Sequence, residues 1–168
     1  MAPSIWWIRR DLRLYDNPAL AAALQAGDTV IPLFILDEHL WRSGWVGEKR
    51  IAFMLGGLRA LDASLQARGS RLIVRQGNVG NELERVFQEA DAAAIFAEED
   101  YSPYARERDT RIATHLPLTP VHGLSVRPPG LVHKADGTPY SVFTPFSKAW
   151  KLHGPLTKAD LIPAPGQI

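Results

Sequence analysis

The residues T-V-I-P-L-F-I-L, from Thr29 to Leu36, carry the clearest indication of the fold. They are almost entirely apolar, and they end at the charged residue Asp37. A second run of this kind, S-I-W-W-I-R, extends from Ser4 to Arg9. Short runs that are apolar on both faces are typical of strands buried in a parallel sheet. The sequence therefore predicts a parallel sheet built around these two strands.

Weaker strand patterns and four helical patterns follow in alternation. The further strands are predicted at 71–75, 93–97 and 118–121. The helices are predicted at 17–25, 48–67, 81–90 and 103–115, from apolar residues spaced three and four apart and from prolines in the first turns of the first and last helices. Because crossover connections are right-handed, such a series folds into a Rossmann-like three-layer α/β/α sandwich with a five-stranded parallel sheet.

Residues 123–168 differ from the rest of the chain, because glycine and proline recur in them and the apolar periodicity is lost. A long segment of this composition at the end of a compact domain favours an extended linker. The sequence therefore predicts a domain core over residues 1–122, followed by a linker over 123–168 that leads to a further domain of a larger protein.

The composition excludes several classes of function. A net charge of +1 and a pI near 8.1 are not those of a protein that binds nucleic acid by its charge alone. The absence of cysteine excludes disulfides and thiolate sites and suits a reducing compartment, and no histidine pair has the spacing of a zinc enzyme, so no metal site is predicted. Without a long apolar run, no membrane segment is predicted and a cytoplasmic location is expected.

Four stretches of the chain resemble the photolyase/cryptochrome family. The first is W-W-I-R-R-D-L-R-L-Y-D-N-P-A-L from Trp6, and the others are F-I-L-D from Phe34, D-Y-S-P-Y-A-R-E-R-D from Asp100 and Y-S-V-F-T-P-F-S-K-A-W from Tyr140. Their order agrees with that family over roughly residues 3–152. The resemblance, together with the alternating pattern, predicts the strand order 3-2-1-4-5.

The resemblance implies a light-harvesting role. In photolyases, reduced FAD in a C-terminal helical domain repairs pyrimidine dimers in DNA, while the N-terminal α/β domain of many members holds an antenna pigment. The chain would then be the antenna domain of a deoxyribodipyrimidine photo-lyase, a carbon–carbon lyase. FAD and damaged DNA would bind only the C-terminal helical domain, so no catalytic residue is assigned and the chain alone is expected to be inactive.

An antenna pigment needs a flat apolar slot and a few polar groups, and in parallel sheets such a slot lies beyond the carboxyl ends of the strands. The dinucleotide glycine fingerprint is missing there. The predicted pigment-binding residues comprise three apolar walls, three basic groups and three acceptors: Phe34, Leu36 and Met54; Arg9, Arg10 and Arg50; Asp37, Glu99 and Asp100.

The segment after Asp100 bears on the identity of the pigment. Folate-binding members often have an asparagine and a glutamate where this chain has Tyr104 and Ala105, so the acceptor for a pterin edge is missing. The P-Y-x-R-x-R-D form that begins at Pro103 is more similar to deazaflavin- or flavin-binding members. The resemblance therefore favours a deazaflavin or a flavin over a folate.

Two other functions stay open at this stage. The same domain occurs in cryptochromes, which are blue-light photoreceptors, and a stand-alone nucleotide-binding α/β domain would share the architecture. Within the first motif, Asp11, Arg13, Asp16 and Asn17 are predicted mainly to brace the turn and cap the next helix. The two tryptophans at positions 6 and 7 are predicted to be part of the sheet core.

Overall fold

The computed structural model describes residues 2–44, 46–154, 157 and 161–168, and its centre is a five-stranded sheet. Every strand pairs in parallel with its neighbours, in the order β3-β2-β1-β4-β5. The predicted sheet and strand order are therefore confirmed. The strands are β1 Ser4–Ile8, β2 Val30–Asp37, β3 Ile73–Gly77, β4 Ala94–Glu98 and β5 Leu118–Val121.

Helices cover both faces of the sheet. They are α1 Pro18–Ala26, α2 Glu38–Trp41, α3 Glu48–Gln66, α4 Val79–Glu89, α5 Pro103–Ala113 and α6 Phe143–Lys151. Buried side chains of α1 and α3 pack in one apolar cluster, and those of α4 and α5 pack in a second cluster. The sheet therefore lies between two cores, as a three-layer sandwich requires.

The alternation of side chains along a strand decides which core each residue joins. Trp6 belongs to the α1/α3 core and Trp7 to the α4/α5 core, with only 1% and 2% of their surfaces exposed. The prediction that both tryptophans are sheet core is confirmed. Along β2, Leu33 and Ile35 face α4 and α5, whereas Phe34 lies in the core formed by α1 and α3.

Polar side chains cap the first turns of α1 and α5, and the cap of α1 is one that the sequence predicts. The Oδ1 atom of Asn17 accepts a hydrogen bond of 2.9 Å from the amide of Leu20, and Pro18 occupies the first turn of α1. Ser102 caps α5 in the same way, through the amide of Ala105. Each cap satisfies an amide that has no partner within the helix, so these two helices begin at defined residues.

The prediction of extended chain throughout residues 123–168 is wrong for Phe143–Lys151, which forms α6. Pro145 is the third residue of this helix. A proline in the first turn removes only an amide that has no partner within the helix, so it is compatible with α6. Part of the predicted linker, namely residues 155, 156 and 158–160, lies outside the described residues.

The described C-terminal residues pack against the domain itself. The amide of Asp16 donates to the carbonyl oxygen of Ile162 at 2.7 Å, and the amide of Ile168 donates to that of Arg68 at 3.1 Å. Ala164 and Ile168 contact the core between the sheet and the helices α1 and α3. Across the described part of the chain, no helix is long and apolar enough to span a membrane.

Candidate functional site

Most of the predicted site residues lie at the edge of the sheet formed by the carboxyl ends of the strands. Arg9 and Arg10 follow β1, Asp37 ends β2, and Glu99 and Asp100 follow β4. Since side chains alternate along a strand, Asp37 and Arg9 lie on the face that α4 and α5 cover. That face contains an open cleft.

The cleft has a volume of about 960 Å³ and lies between the end of β2, the first turn of α4 and one side of α5. This volume is within the range of small-molecule sites. The rings of His39 and Tyr104 are stacked in its lining, with their centroids 4.9 Å apart and their planes 12° from parallel. The lining residues are Asp37, Glu38, His39, Arg42, Ser43, Asn78, Val79, Gly80, Asn81, Tyr104, Glu107, Arg108, Arg111, Ile112 and His115.

The carboxylate of Asp37 connects three elements of the cleft. Its Oδ1 atom accepts from the amide of His39 at 3.0 Å and caps α2, and its Oδ2 atom accepts from the Tyr104 hydroxyl at 2.6 Å. A guanidinium nitrogen of Arg108 is 3.9 Å from Oδ2. Burial and the bond to Asp37 raise the pKa of Tyr104 to about 12, so the hydroxyl remains a donor at neutral pH.

A network of charges underlies the cleft. Arg9 donates to the carboxylate of Asp109 and to the carbonyl oxygen of Glu98, and Arg108 also pairs with Asp109 at 2.9 Å. Both guanidinium groups lie over the ring of Trp7, at 4.6 and 4.8 Å from its centroid. Burial lowers the pKa of Arg9, while the carboxylate of Asp109 opposes that shift. The two guanidinium groups therefore pack against an aromatic side chain of the core.

Arg10 and Asp100 form an ion pair of 2.9 Å near the end of β4. Burial would raise the pKa of Asp100, but the hydrogen bonds from Ser102 and the charge of Arg10 together lower it. Close by, Glu99 accepts from the Tyr101 hydroxyl at 2.7 Å. These acidic groups stabilise the entry into α5, and none of them lines the cleft.

The structure does not bring all the predicted site residues together. Phe34 is 6% exposed in the core beneath α1 and α3, and Leu36 and Met54 pack against the same core. Arg50 is exposed on α3. The expectation that these residues share one slot with Arg9 and Asp37 is therefore not met, because the sheet separates the two groups.

Of the residues that line the cleft, sequence reasoning placed only Asp37 in the site, and it missed Tyr104, Arg108 and His39 among others. The spacing of Tyr104 and Arg108, four residues apart on a helix that follows a strand end, places both on one face of α5 and was a usable signal. His39 belongs to a four-residue helix without apolar periodicity, so the sequence contained no comparable signal for it.

Comparison with known proteins assigns the chain to a family. The DNA photolyase family profile matches residues 4–166. Deoxyribodipyrimidine photo-lyases of Streptomyces griseus and a Synechococcus strain are 38% and 35% identical over 92% and 89% of this chain. The chain belongs to the DNA photolyase family. Cryptochrome-1 of Sylvia borin is also similar, at 40% identity over 65% of the chain and 18% of its own length.

Solved structures of the family have the same fold. The class III photolyase of Agrobacterium tumefaciens superposes with a TM-score of 0.85 and 29% identity, over 99% of this chain and 35% of the other. An archaeal photolyase from Sulfolobus tokodaii, described with two FAD molecules and a novel light-harvesting cofactor, gives a TM-score of 0.82 at 29% identity, over 98% of this chain and 37% of that one. The chain spans about a third of the length of the photo-lyases of Streptomyces griseus and Synechococcus.

Proposed function

We propose that this chain is the antenna-pigment domain of a deoxyribodipyrimidine photo-lyase, and that the cleft beside Tyr104 binds the pigment. The observation that supports this most directly is the position of the cleft. It opens at the carboxyl ends of parallel strands, where α/β proteins bind ligands, in a chain of the photolyase family. Excitation absorbed there would pass to FAD, which we place in a C-terminal helical domain together with the damaged DNA.

The residues of the cleft fit a flat ring with a polar tail. Tyr104 and His39 offer stacked aromatic surfaces, and Val79 and Ile112 supply apolar contacts. At the far side, the cleft includes Asn78 to Asn81 at the start of α4, where free amides and the helix dipole favour a negatively charged tail. A flavin with a phosphate matches this arrangement well.

The preference for a deazaflavin or a flavin over a folate rests on α5. Ala105 is 1% exposed and has no polar side-chain atom to offer a pterin edge, while Tyr104 bonds to Asp37. We retain Asp37 as a residue that contacts the pigment, and Arg9 as one that positions Arg108 through Asp109. Phe34, Leu36, Met54 and Arg50 remain proposed ligands only for a pigment that would reach the α3 side of the sheet. Arg10, Glu99 and Asp100 remain so only for a pigment that would extend toward the end of β4.

The proposed partner is the C-terminal helical domain of the parent protein, reached through residues 123–168. Phe143 and Leu152, in and just after α6, are 77% and 86% exposed. Their exposure is compatible with a covering partner. Contact with DNA would occur only through that further domain, and the absence of cysteine is consistent with a cytoplasmic location.

A cryptochrome photoreceptor remains the alternative, since Cryptochrome-1 is 40% identical over 109 residues. A stand-alone nucleotide-binding domain is less favoured. Its phosphate loop would fall near Gly123, where a Cβ atom would be only 2.8 Å from a carboxyl oxygen of Glu98. A phosphate bound at this position would lie close to the same carboxyl group.

Titration of the purified chain with FMN, a deazaflavin and a reduced folate, followed by fluorescence, tests the proposal. We expect FMN and the deazaflavin to bind more tightly than the folate, and Tyr104→Ala to weaken both. Phe53→Ala on α3 is the matched control, because Phe53 is an aromatic side chain, 85% exposed, far from the cleft. Tighter binding of the folate, or equal effects of the two substitutions, would contradict the proposal.

A further inference from the structure

Glu98, the last residue of β4, is a buried acid that lies outside the cleft. It is 4% exposed, and neither of its carboxyl oxygens has a hydrogen-bond donor among the described residues. The nearby guanidinium of Arg9 donates to the backbone carbonyl oxygen of Glu98. A buried carboxylate with no donor is costly, so this side chain needs a proton or a partner.

The side chain that faces Glu98 is a second acid. The carboxyl group of Asp11 lies within hydrogen-bonding reach of it. Arg13 is the nearest cation to Asp11, with Nε 3.0 Å from Oδ2, but it is not aligned for a hydrogen bond and leaves that oxygen without a donor. Two carboxyl groups can bond to each other only when one of them is protonated.

The chain at Gly123 lies directly over this pair. A Cβ atom at position 123 would be 2.8 Å from a carboxyl oxygen of Glu98 and 3.2 Å from Cδ of Pro18. Arg13 donates to the carbonyl oxygen of Gly123 at 3.2 Å. Arg13 therefore connects Asp11 to the segment that leaves β5, and this segment lies against Glu98.

The charges around Glu98 favour its neutral form. The charged groups that face it in the described part of the chain are Asp11 and Arg13, in the connection after β1, and Arg9, at the end of β1. Burial and the carboxyl of Asp11 raise the pKa of Glu98 to about 9, and the two arginines only partly oppose this shift.

We propose that Glu98 and Asp11 share one proton at neutral pH, beneath the chain at Gly123. The acid–carboxylate bond is of the short, charge-assisted kind. Loss of the proton in the alkaline range leaves two adjacent carboxylates, that of Glu98 buried, which repel each other and destabilise the fold.

This proton changes how stability depends on pH. The pKa of Glu98 is raised in the folded state relative to its ordinary value of 4.5. Between about pH 4.5 and 9 the folded chain therefore holds one proton that the unfolded chain releases. The stabilisation is complete below this range, falls as the pH rises, and is lost at about pH 9, so Glu98 contributes a tenfold increase in the unfolding equilibrium constant for each pH unit.

Infrared spectroscopy of the unaltered chain tests the proton directly. At pH 7 we expect one carbonyl band of a buried protonated carboxylic acid, which disappears on titration near pH 9 and is missing in Glu98→Gln. Because this measurement needs no variant to fold, absence of the band from the unaltered chain at pH 7 would overturn the proposal. A band that persists unchanged in Glu98→Gln would overturn it as well.

Unfolding equilibria measured between pH 5 and 9 give a second test. The side-chain amide introduced by Glu98→Gln would donate to Asp11 but would not titrate. In this variant the unfolding constant should therefore lose the tenfold rise per pH unit that Glu98 contributes. Glu89→Gln is the matched control, because Glu89 is 51% exposed in a surface pair with Arg75. The same pH dependence in Glu98→Gln as in the unaltered chain would overturn the proposal.

Discussion

The hydroxyl of Tyr104 lies 2.6 Å from Oδ2 of Asp37 and thereby joins the first turn of α5 to the end of β2. Tyr104→Phe removes only the donor and leaves the ring stacked on His39. A hydrogen bond to a charged acceptor contributes about 1.5 to 3 kcal/mol, so we expect the free energy of unfolding to fall by about 1.5 kcal/mol, because the pair is only partly buried. Urea denaturation measures the change.

Tyr15→Phe is the control for this substitution. Tyr15 is 52% exposed, and its hydroxyl is replaced by hydrogen in the same way. We expect a change within about 0.5 kcal/mol, as for most surface substitutions. Equal losses in the two variants would mean that the bond between Tyr104 and Asp37 does not stabilise the fold.

The fold was predictable because the deciding signals are local. The apolar run of β2, the capping residue Asn17 and the helical spacing in α3 each lie within a few neighbouring residues. The site was less predictable, because its contacts join distant parts of the chain. Arg9 donates to Asp109 although the two residues are one hundred positions apart, and nothing near either of them in the sequence indicates this contact.

One error about the site was avoidable from the sequence. Phe34 and Asp37 are three residues apart on one strand, and an odd separation places two side chains on opposite faces of a sheet. The period of two therefore excluded a slot that both residues line. The proton at Glu98, in contrast, was not predictable from the sequence. It depends on Asp11, which lies near Glu98 because β1 pairs with β4.

Asp109 compensates two buried or nearly buried cations, Arg9 and Arg108. The side chain of Arg9 is only 6% exposed, so its charge would remain buried without this carboxylate. Removing one partner of a buried pair costs about 3 to 5 kcal/mol, and we expect Asp109→Asn to lower the free energy of unfolding by about 3 kcal/mol. Chemical denaturation at pH 7 checks this value.

An exposed ion pair on the same helix provides the comparison. Glu107 and Arg111 are 2.8 Å apart, but their side chains are 76% and 73% exposed. Such pairs contribute little, so Glu107→Gln should change the stability by less than about 1 kcal/mol. If Asp109→Asn were as mild as Glu107→Gln, the network around Arg9 would not be a structural ion pair.

Asn17 makes two hydrogen bonds while only 1% exposed: its Oδ1 atom caps α1, and its Nδ2 atom donates to the carbonyl oxygen of Arg13 at 2.9 Å. Asn17→Ala removes both bonds. Loss of a cap costs about 0.5 to 2 kcal/mol, and we expect a value near the upper limit with little change in pigment affinity. A thermal melt and an FMN titration of the same sample separate the two effects, and abolished binding at an unchanged melting temperature would contradict the structural role.

Substitutions on the two faces of the sheet should affect stability and pigment binding separately. Phe34 lies in the core under α1 and α3, so Phe34→Ala should cost about 3 to 5 kcal/mol of stability and leave the FMN affinity of the folded molecules unchanged. Tyr104→Ala should instead lower that affinity about tenfold, since a lost aromatic contact is worth about 0.5 to 1.5 kcal/mol and tenfold corresponds to about 1.4 kcal/mol. The affinities are measured by fluorescence at low temperature, with the folded fraction of each variant determined by circular dichroism. Weakened binding in Phe34→Ala, with binding in Tyr104→Ala intact, would place the pigment on the α3 side of the sheet.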